Sequence, residues 1–96
     1  MHNGQLIIEK LKNAKTSLKR RYGVTEVALF GPYSKGEEQA DSYVDLLINF
    51  DKAPGIRFTD LEDELEQLLE KKVDVTLRKG IESQYYKSIR KELIYI

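Results

Sequence analysis

The sequence contains no cysteine, a single histidine and no long apolar run. Without cysteine, disulfides and thiolate metal sites are excluded, and a reducing compartment is compatible with the composition. The histidine, His2, lies near a terminus that we expect to fray, so it is assigned no role. No apolar stretch approaches the length of a membrane span or of a signal peptide's core. We therefore expect a cytoplasmic protein with no membrane association.

An excess of charge of either sign is also absent. Lys+Arg and Asp+Glu each number 16, and the formal net charge is zero. A dedicated nucleic-acid binder usually carries a basic excess, so the composition gives no strong nucleic-acid signal. A nucleotide site stays open, because a few local groups and a metal ion are enough to hold phosphates. The length of 96 residues predicts a single domain over residues 1–96.

Apolar spacing predicts alternating helices and strands. In chain order, the predicted elements are a helix over 6–22, strands over 24–30 and 43–50, a helix over 58–69, a strand over 73–77 and a helix over 82–93. Residues 31–42 are rich in turn formers and are predicted to be mainly a loop, and 51–55 to be a turn. The order α-β-β-α-β-α indicates an α+β fold, a small mixed sheet covered by helices.

Two acidic residues are set into apolar strands. Asp45 follows Val44 and precedes a run of aliphatic residues, and Asp74 stands between Val73 and Val75. An acid in a short edge strand often belongs to the solvent-facing half of the alternation. Taken together with Gly31 and the polar loop between the first two strands, however, the pair favours a functional site.

Metal-dependent nucleotidyl transfer requires groups of this kind. The triphosphate needs a place where the backbone comes close, which favours glycine and small hydroxyl side chains. Divalent ions must be held near the attacking and leaving oxygens, and magnesium prefers carboxylate oxygens as ligands. The predicted strands carrying Asp45 and Asp74, with Gly31 at the end of the first strand, supply much of this set.

The loop and the second strand resemble the active-site motif of the minimal nucleotidyltransferases, a family of the DNA polymerase β superfamily. That motif is Gly-Ser, ten residues, then Asp-x-Asp between apolar flanks. This chain has Gly31 and Pro32, ten residues, then Tyr43-Val44-Asp45, so the spacing matches without a gap. The flanking residues that also match are Phe30, Ser34, Lys35, Gly36, Glu37, Leu46, Leu47 and Ile48.

The resemblance implies a nucleotidyltransferase fold and transfer of AMP from ATP with Mg²⁺. Many members are antitoxins that modify a tyrosine on a partner toxin with a helical HEPN domain. By this resemblance Gly31, Ser34 and Lys35 would contact the nucleotide. Asp45 and Asp74 would be the catalytic carboxylates and the metal ligands, with Asp74 helping to activate the attacking hydroxyl.

Two motif positions depart from the family pattern. Pro32 replaces the motif serine and removes a hydroxyl and a backbone N–H from the phosphate site. Tyr43 replaces the first motif aspartate with a phenol, which is neutral near pH 7 and a poor magnesium ligand. Asp41 could substitute only if the chain bends, because it lies about 6.6 Å upstream in an extended strand. These losses predict reduced or absent activity.

Three interpretations follow from the sequence. The chain is an active nucleotidyltransferase, a pseudoenzyme that retains nucleotide binding, or an interaction module that neutralises a toxin by contact alone. Tyr85 and Tyr86 could stack on a base, but helix packing is the expected role. The apolar end of the chain, residues 94–96, favours association with a partner or with a second copy as a homo-oligomer.

Overall fold

Helices cover both faces of a four-stranded sheet. The structure is a computed structural model that describes residues 3–52 and 57–96. In chain order its elements are α1 (Asn3–Tyr22), β1 (Val24–Phe30), α2 (Pro32–Lys35), β2 (Val44–Phe50), α3 (Phe58–Leu69), β3 (Val73–Leu77), α4 (Ser83–Ile89), a 3-10 turn (Arg90–Glu92) and β4 (Ile94–Tyr95). The prediction of an α+β fold with a small mixed sheet is confirmed.

The strands are ordered β3-β2-β1-β4 across the sheet. Strand β1 is antiparallel to both of its neighbours, whereas β2 and β3 are parallel. Parallel neighbours need a crossover connection, which α3 provides here. As a result β2 and β3 begin at the same end of the sheet, so the acids near their first residues lie close together.

Helices α1 and α3 cover one face of the sheet. Their buried side chains recur at helical spacing and pack against every second residue of the two central strands. The buried members of this layer are Ile7, Leu11, Leu18, Val24, Val27, Leu29, Tyr33, Val44, Leu46, Ile48, Leu61, Leu65, Leu69 and Val73. Val44, Leu46 and Ile48 therefore share one face of β2.

Helix α4 covers the opposite face with a smaller apolar cluster. Ile89 packs there with Ala28, Phe30 and Leu47. This explains why β2 is apolar on both sides at Leu47, which is 3% exposed. Asp45 lies two residues before Leu47 and therefore shares the α4 face of the sheet.

A polar contact joins the end of α1 to α3. The Arg21 guanidinium donates to both carboxylate oxygens of Glu64, and the Tyr22 hydroxyl donates to Oε1 at 3.0 Å. The Arg57 guanidinium lies 4.8 Å from the centre of the Tyr22 ring. Glu64 and Arg57 thus both contact Tyr22 at the end of α1, while Arg57 stays exposed. Glu66 on α3 accepts a hydrogen bond from the backbone N–H of Val73 at 3.0 Å.

The last predicted helix, over 82–93, is too long. It ends at Ile89, a 3-10 turn follows, and Ile94 begins a short strand that pairs with Leu29 of β1. The β-branched residues at the end of the chain gain more by joining the edge of β1 than by extending a helix past the sheet. The Ile96 N–H donates to the Val27 carbonyl at 2.9 Å, which continues this contact.

Smaller differences concern boundaries. Helix α1 begins at Asn3, and Pro32 starts a one-turn helix within the predicted loop, as suits proline at a first helical position. Thr59 and Asp60 lie within the first turn of α3. Residues 53–55 of the predicted turn, and His2, lie outside the described residues. Within 3–52 and 57–96, no helix has both the length and the apolar character needed to cross a membrane.

Candidate active site

Gly31 forms a sharp turn directly over the carboxylate of Asp45. Its φ is 77° and its ψ is −161°, a conformation that L side chains rarely adopt. A Cβ atom at this position would lie 2.2 Å from Oδ2 of Asp45. Glycine is therefore required for two reasons, the backbone conformation and the close approach to the acid.

Asp45 and Asp74 stand side by side on neighbouring strands. They are Cα partners in the parallel pair of β2 and β3, and Phe30 at the end of β1 is the partner of Asp45 on its other side. Neighbouring strands lie about 4.8 Å apart, so the two carboxylates project from adjacent positions on one face. Asp45 is half-buried, whereas Asp74 is exposed. The structure thus brings together Gly31 and both predicted acids.

The surroundings of Asp45 disfavour its charged form. Burial raises the pKa of Asp45 from its ordinary value of 3.8 to about 6, with further contributions from the negative charges of Asp74 and Glu92. Such an excess of negative charge attracts a cation, which would return the carboxylate to its ionised form. This end of the sheet is therefore an anionic site that favours binding of a cation.

A magnesium ion fits part of this arrangement. Mg²⁺ is often held by one or two carboxylates, and takes its other ligands from water and substrate phosphates. Asp45 and Asp74 could provide that pair. Over the described residues, no group of three or more acidic, histidine or cysteine side chains has the geometry of a metal site. The arrangement therefore suits one ion with two protein ligands, rather than a site with three carboxylates.

Glu92 is the member of the site that sequence reasoning missed. Its Oε1 accepts a hydrogen bond from the backbone N–H of Gly31 at 2.8 Å, and its Oε2 lies 3.5 Å from Nζ of Lys35. The sequence places Glu92 in a predicted helix among charged neighbours, where it has no distinguishing signal. Its side chain points toward Gly31 because α4 ends at Ile89 and a 3-10 turn follows.

Ser34 and Lys35 lie in the one-turn helix α2, immediately after the glycine turn. The Ser34 hydroxyl donates to the carbonyl of Gly31 at 2.9 Å, so it helps to fix the turn. Lys35 is half-exposed and lies between the carboxylates of Glu92 and Glu37, at 3.5 and 3.7 Å. Their predicted roles as nucleotide contacts stay predictions, and of the two Lys35 is the more exposed.

Tyr43 and Asp41 do not complete the pair of acids. Tyr43 immediately precedes β2 and is 52% exposed, with a phenol in place of a carboxylate. Asp41 lines an open cleft that also contains Tyr33 and Lys71. Neither Asp45 nor Asp74 lines that cleft. The bend that would let Asp41 replace the missing ligand is therefore not supported by the structure.

Tyr85 and Tyr86 of α4 pack on other side chains. The ring of Tyr85 lies edge-on to Phe30, with centroids 6.4 Å apart, and remains 43% exposed. The ring of Tyr86 lies 4.0 Å below the guanidinium of Arg78. Packing of these two tyrosines, the role expected from the sequence, is what the structure contains.

Comparison with known proteins identifies the lineage of this chain. The profile of the nucleotidyltransferase domain family matches residues 11–96. Protein adenylyltransferase MntA of Thermococcus cleftensis is 37% identical over 91 residues, which cover 93% of this chain and 92% of the relative. Among solved structures, one described as a minimal nucleotidyltransferase superposes with a TM-score of 0.77 at 29% identity, covering 98% of this chain and 95% of the other.

Two toxin–antitoxin structures share the fold at lower sequence identity. One, crystallised with AMP-PNP, has a TM-score of 0.71 at 20% identity and covers 88% of this chain and 70% of the other. The second contains an AMPylated HEPN toxin of Shewanella oneidensis with its MNT antitoxin, and gives a TM-score of 0.62 at 17% identity over 99% and 71% of the two chains. With the domain profile and the MntA relative, the sequence and fold show that this chain belongs to the minimal nucleotidyltransferase family.

Proposed function

We propose that this protein binds ATP with Mg²⁺ at the end of the sheet formed by Gly31, Asp45 and Asp74, and transfers AMP to a hydroxyl group of a protein at a reduced rate. The hydroxyl oxygen bonds to the α-phosphorus of ATP, the bond from that phosphorus to the β-phosphate oxygen breaks, and pyrophosphate leaves. The observation that carries the proposal is the register of Asp45 with Asp74 beneath the Gly31 turn. Two adjacent carboxylates with excess negative charge, next to a backbone turn that lacks a Cβ, form a place where a metal ion and phosphates can meet.

Each retained residue has a distinct task in this reaction. Gly31 lets phosphate oxygens approach the backbone, and Lys35 offers a positive charge to the same oxygens. Asp45 and Asp74 would hold Mg²⁺, which when bound neutralises charge on the phosphates. Asp74 is the more exposed of the two carboxylates and can also accept the proton of an incoming hydroxyl.

The two replaced motif positions explain the reduced rate. Pro32 has no N–H to donate to a phosphate oxygen, and Tyr43 contributes no charge to the metal. Loss of one positioned electrostatic group typically lowers kcat about 10²- to 10³-fold. We therefore expect turnover well below that of a relative with the complete motif, with nucleotide binding less affected than catalysis.

The proposed acceptor is a tyrosine of a HEPN-domain toxin, and the cellular role is that of an antitoxin. Support comes from the family, and from the shared fold of the toxin–antitoxin structures. The alternative is neutralisation by contact alone, without AMP transfer. This second candidate is favoured by Pro32 and Tyr43, because both replacements weaken the site needed for AMP transfer and leave contact with a partner unaffected.

Transfer of label tests the proposal directly. The protein is incubated with Mg²⁺, ATP labelled at the α-phosphate, and the HEPN-domain product of an adjacent reading frame. Slow labelling of that product, abolished in Asp45→Ala, is the expected result. If Asp45→Ala labels as well as the wild type, the reaction does not occur at this site. If the toxin is neutralised without ATP and no label is transferred, the contact mechanism replaces the proposed one.

A further inference from the structure

The carboxylate of Glu92 occupies the position at which the loop would bind an anion. The Gly31 N–H is a backbone donor at the turn, and Glu92 accepts from it at 2.8 Å. The second oxygen of the same carboxylate faces Nζ of Lys35 at 3.5 Å. A backbone N–H and an ammonium converging on one carboxylate form the kind of pair that also binds phosphate oxygens.

We propose that Glu92 is an intramolecular latch that competes with the phosphates of ATP for Gly31 and Lys35. This inference rests on the nucleotide site proposed above. In the closed state the carboxylate takes the two donors, and it must rotate away before a phosphate group can use them. Glu92 is thus a residue that sets the affinity of the site and does not take part in the chemistry.

Opening the latch requires only a side-chain rotation. The backbone near Glu92 is held in place, since Ile94 pairs with Leu29 and the Ile96 N–H donates to Val27. A glutamate side chain has three rotatable torsions, and the side chain of Glu92 is already 21% exposed. The fold therefore fixes the position of the latch while the carboxylate can swing out into solvent.

The unusual charge pattern of the site supports this role. Glu92 adds a third negative charge near Asp45 and Asp74. When nucleotide phosphates take the donors and Glu92 turns outward, one of the like charges leaves the neighbourhood of the acids.

Population arithmetic gives the size of the effect. The apparent affinity of a ligand falls in proportion to the fraction of molecules in the competent state. A hydrogen bond to a charged group is strong enough to keep the latch closed about nine-tenths of the time, which lowers ATP affinity about tenfold. Removal of the carboxylate should therefore tighten ATP binding by about tenfold.

Binding of ATP and of inorganic tripolyphosphate, each with Mg²⁺, tests the latch by calorimetry. The variants are Glu92→Ala, which removes the acceptor, and Glu92→Gln, which removes the charge but can still accept from Gly31. The matched control is Glu37→Gln, because Glu37 also lies beside Lys35, at 3.7 Å, and the same charge is lost. We expect both ligands to bind most tightly to Glu92→Ala, then to Glu92→Gln, with Glu37→Gln close to the wild type.

The outcomes separate the latch from the proposed function. If the wild type binds ATP and neither Glu92 variant binds it more tightly than Glu37→Gln does, the latch is refuted and the nucleotide site stands. If tripolyphosphate binding tightens in the Glu92 variants but no form binds ATP, the latch stands and the proposed function fails. If neither ligand binds any form, both are wrong. Circular dichroism checks folding, and should Glu92→Ala fail to fold, Glu92→Gln against Glu37→Gln decides.

Discussion

Replacement of Asp45 by asparagine should make the protein more stable at neutral pH. The ionised carboxylate is half-buried and faces the like charges of Asp74 and Glu92, which together raise the pKa of Asp45 from 3.8 to about 6. Asparagine has nearly the same shape as the protonated acid but carries no charge. The substitution therefore removes an unfavourable charge without leaving a cavity, and stability should rise at the cost of metal binding.

The size and sign of the effect follow from linkage. A pKa difference of about two corresponds to about 3 kcal/mol for a fully shielded group. Because Asp45 is only half-buried, solvent screening reduces this to about 1–2 kcal/mol. The folded state holds the proton more tightly than the unfolded state, so the wild type loses this stability as pH rises from about 4 to about 6. Above that window the full difference between variant and wild type should be present.

Urea unfolding followed by circular dichroism, at pH 4 and at pH 7.5, measures the difference. We expect Asp45→Asn to exceed the wild type only slightly at pH 4 and by about 1–2 kcal/mol at pH 7.5. Asp41→Asn, at an exposed loop position, is the control for loss of one negative charge. An equal gain at both pH values, or a gain no larger than that of Asp41→Asn, would refute the electrostatic account of the site.

Three further predictions concern the turn, the missing motif residues and the contact between α1 and α3. Gly31→Ala should lower the free energy of unfolding by about 2–4 kcal/mol, because it adds a steric clash to an unfavourable φ. The control is Gly80→Ala, where φ is 84° but no atom lies near the added Cβ, and the free energy of unfolding should fall by only about 1 kcal/mol. Equal losses in the two variants would contradict the clash. Tyr43→Asp combined with Pro32→Ser should tighten Mg²⁺ binding by about tenfold in calorimetry, because the change adds a carboxylate. The control is Tyr95→Asp, at a similarly exposed tyrosine. Unchanged Mg²⁺ affinity in the double variant would mean that the site is misplaced. Glu64→Gln should lower stability by up to about 1 kcal/mol at pH 7 in urea unfolding. Hydrogen bonding to Arg21 holds the pKa of Glu64 below its usual value of 4.5, so this loss should shrink progressively as the pH falls below 4.5 and through the folded-state pKa. A loss that does not change with pH would argue against the ion pair.

The strands and long helices could be predicted because local pattern decides them. Helix α3 and strands β1 and β3 have the predicted bounds, since their apolar residues recur with the period of each element. The register of Asp45 with Asp74 is a consequence of which strands are parallel. The family resemblance implied that the two acids serve one site, but the parallel pairing itself could not be predicted from periodicity.

The C-terminal part of the site could not be read from local pattern. Glu92 lies in a stretch whose charges and apolar residues suit a helix as well as a turn. Its role depends on β4 joining the edge of β1, a contact between residues far apart in the chain. Tertiary pairing overrode helix propensity there, and the hydrogen bond to Gly31 exists only because of it.

The parallel pairing of β2 with β3 also has a consequence for the order in which the molecule assembles. Asp45 and Asp74 meet only after the chain has crossed over through α3, whereas β1 and β2 are joined by a shorter loop. Contacts between residues distant in sequence form slowly, because the entropy cost of closing the loop comes before the strand pairing that compensates for it. The two acids repel each other at that step, which slows the pairing of β2 with β3. Divalent cations or mild acid should therefore accelerate refolding.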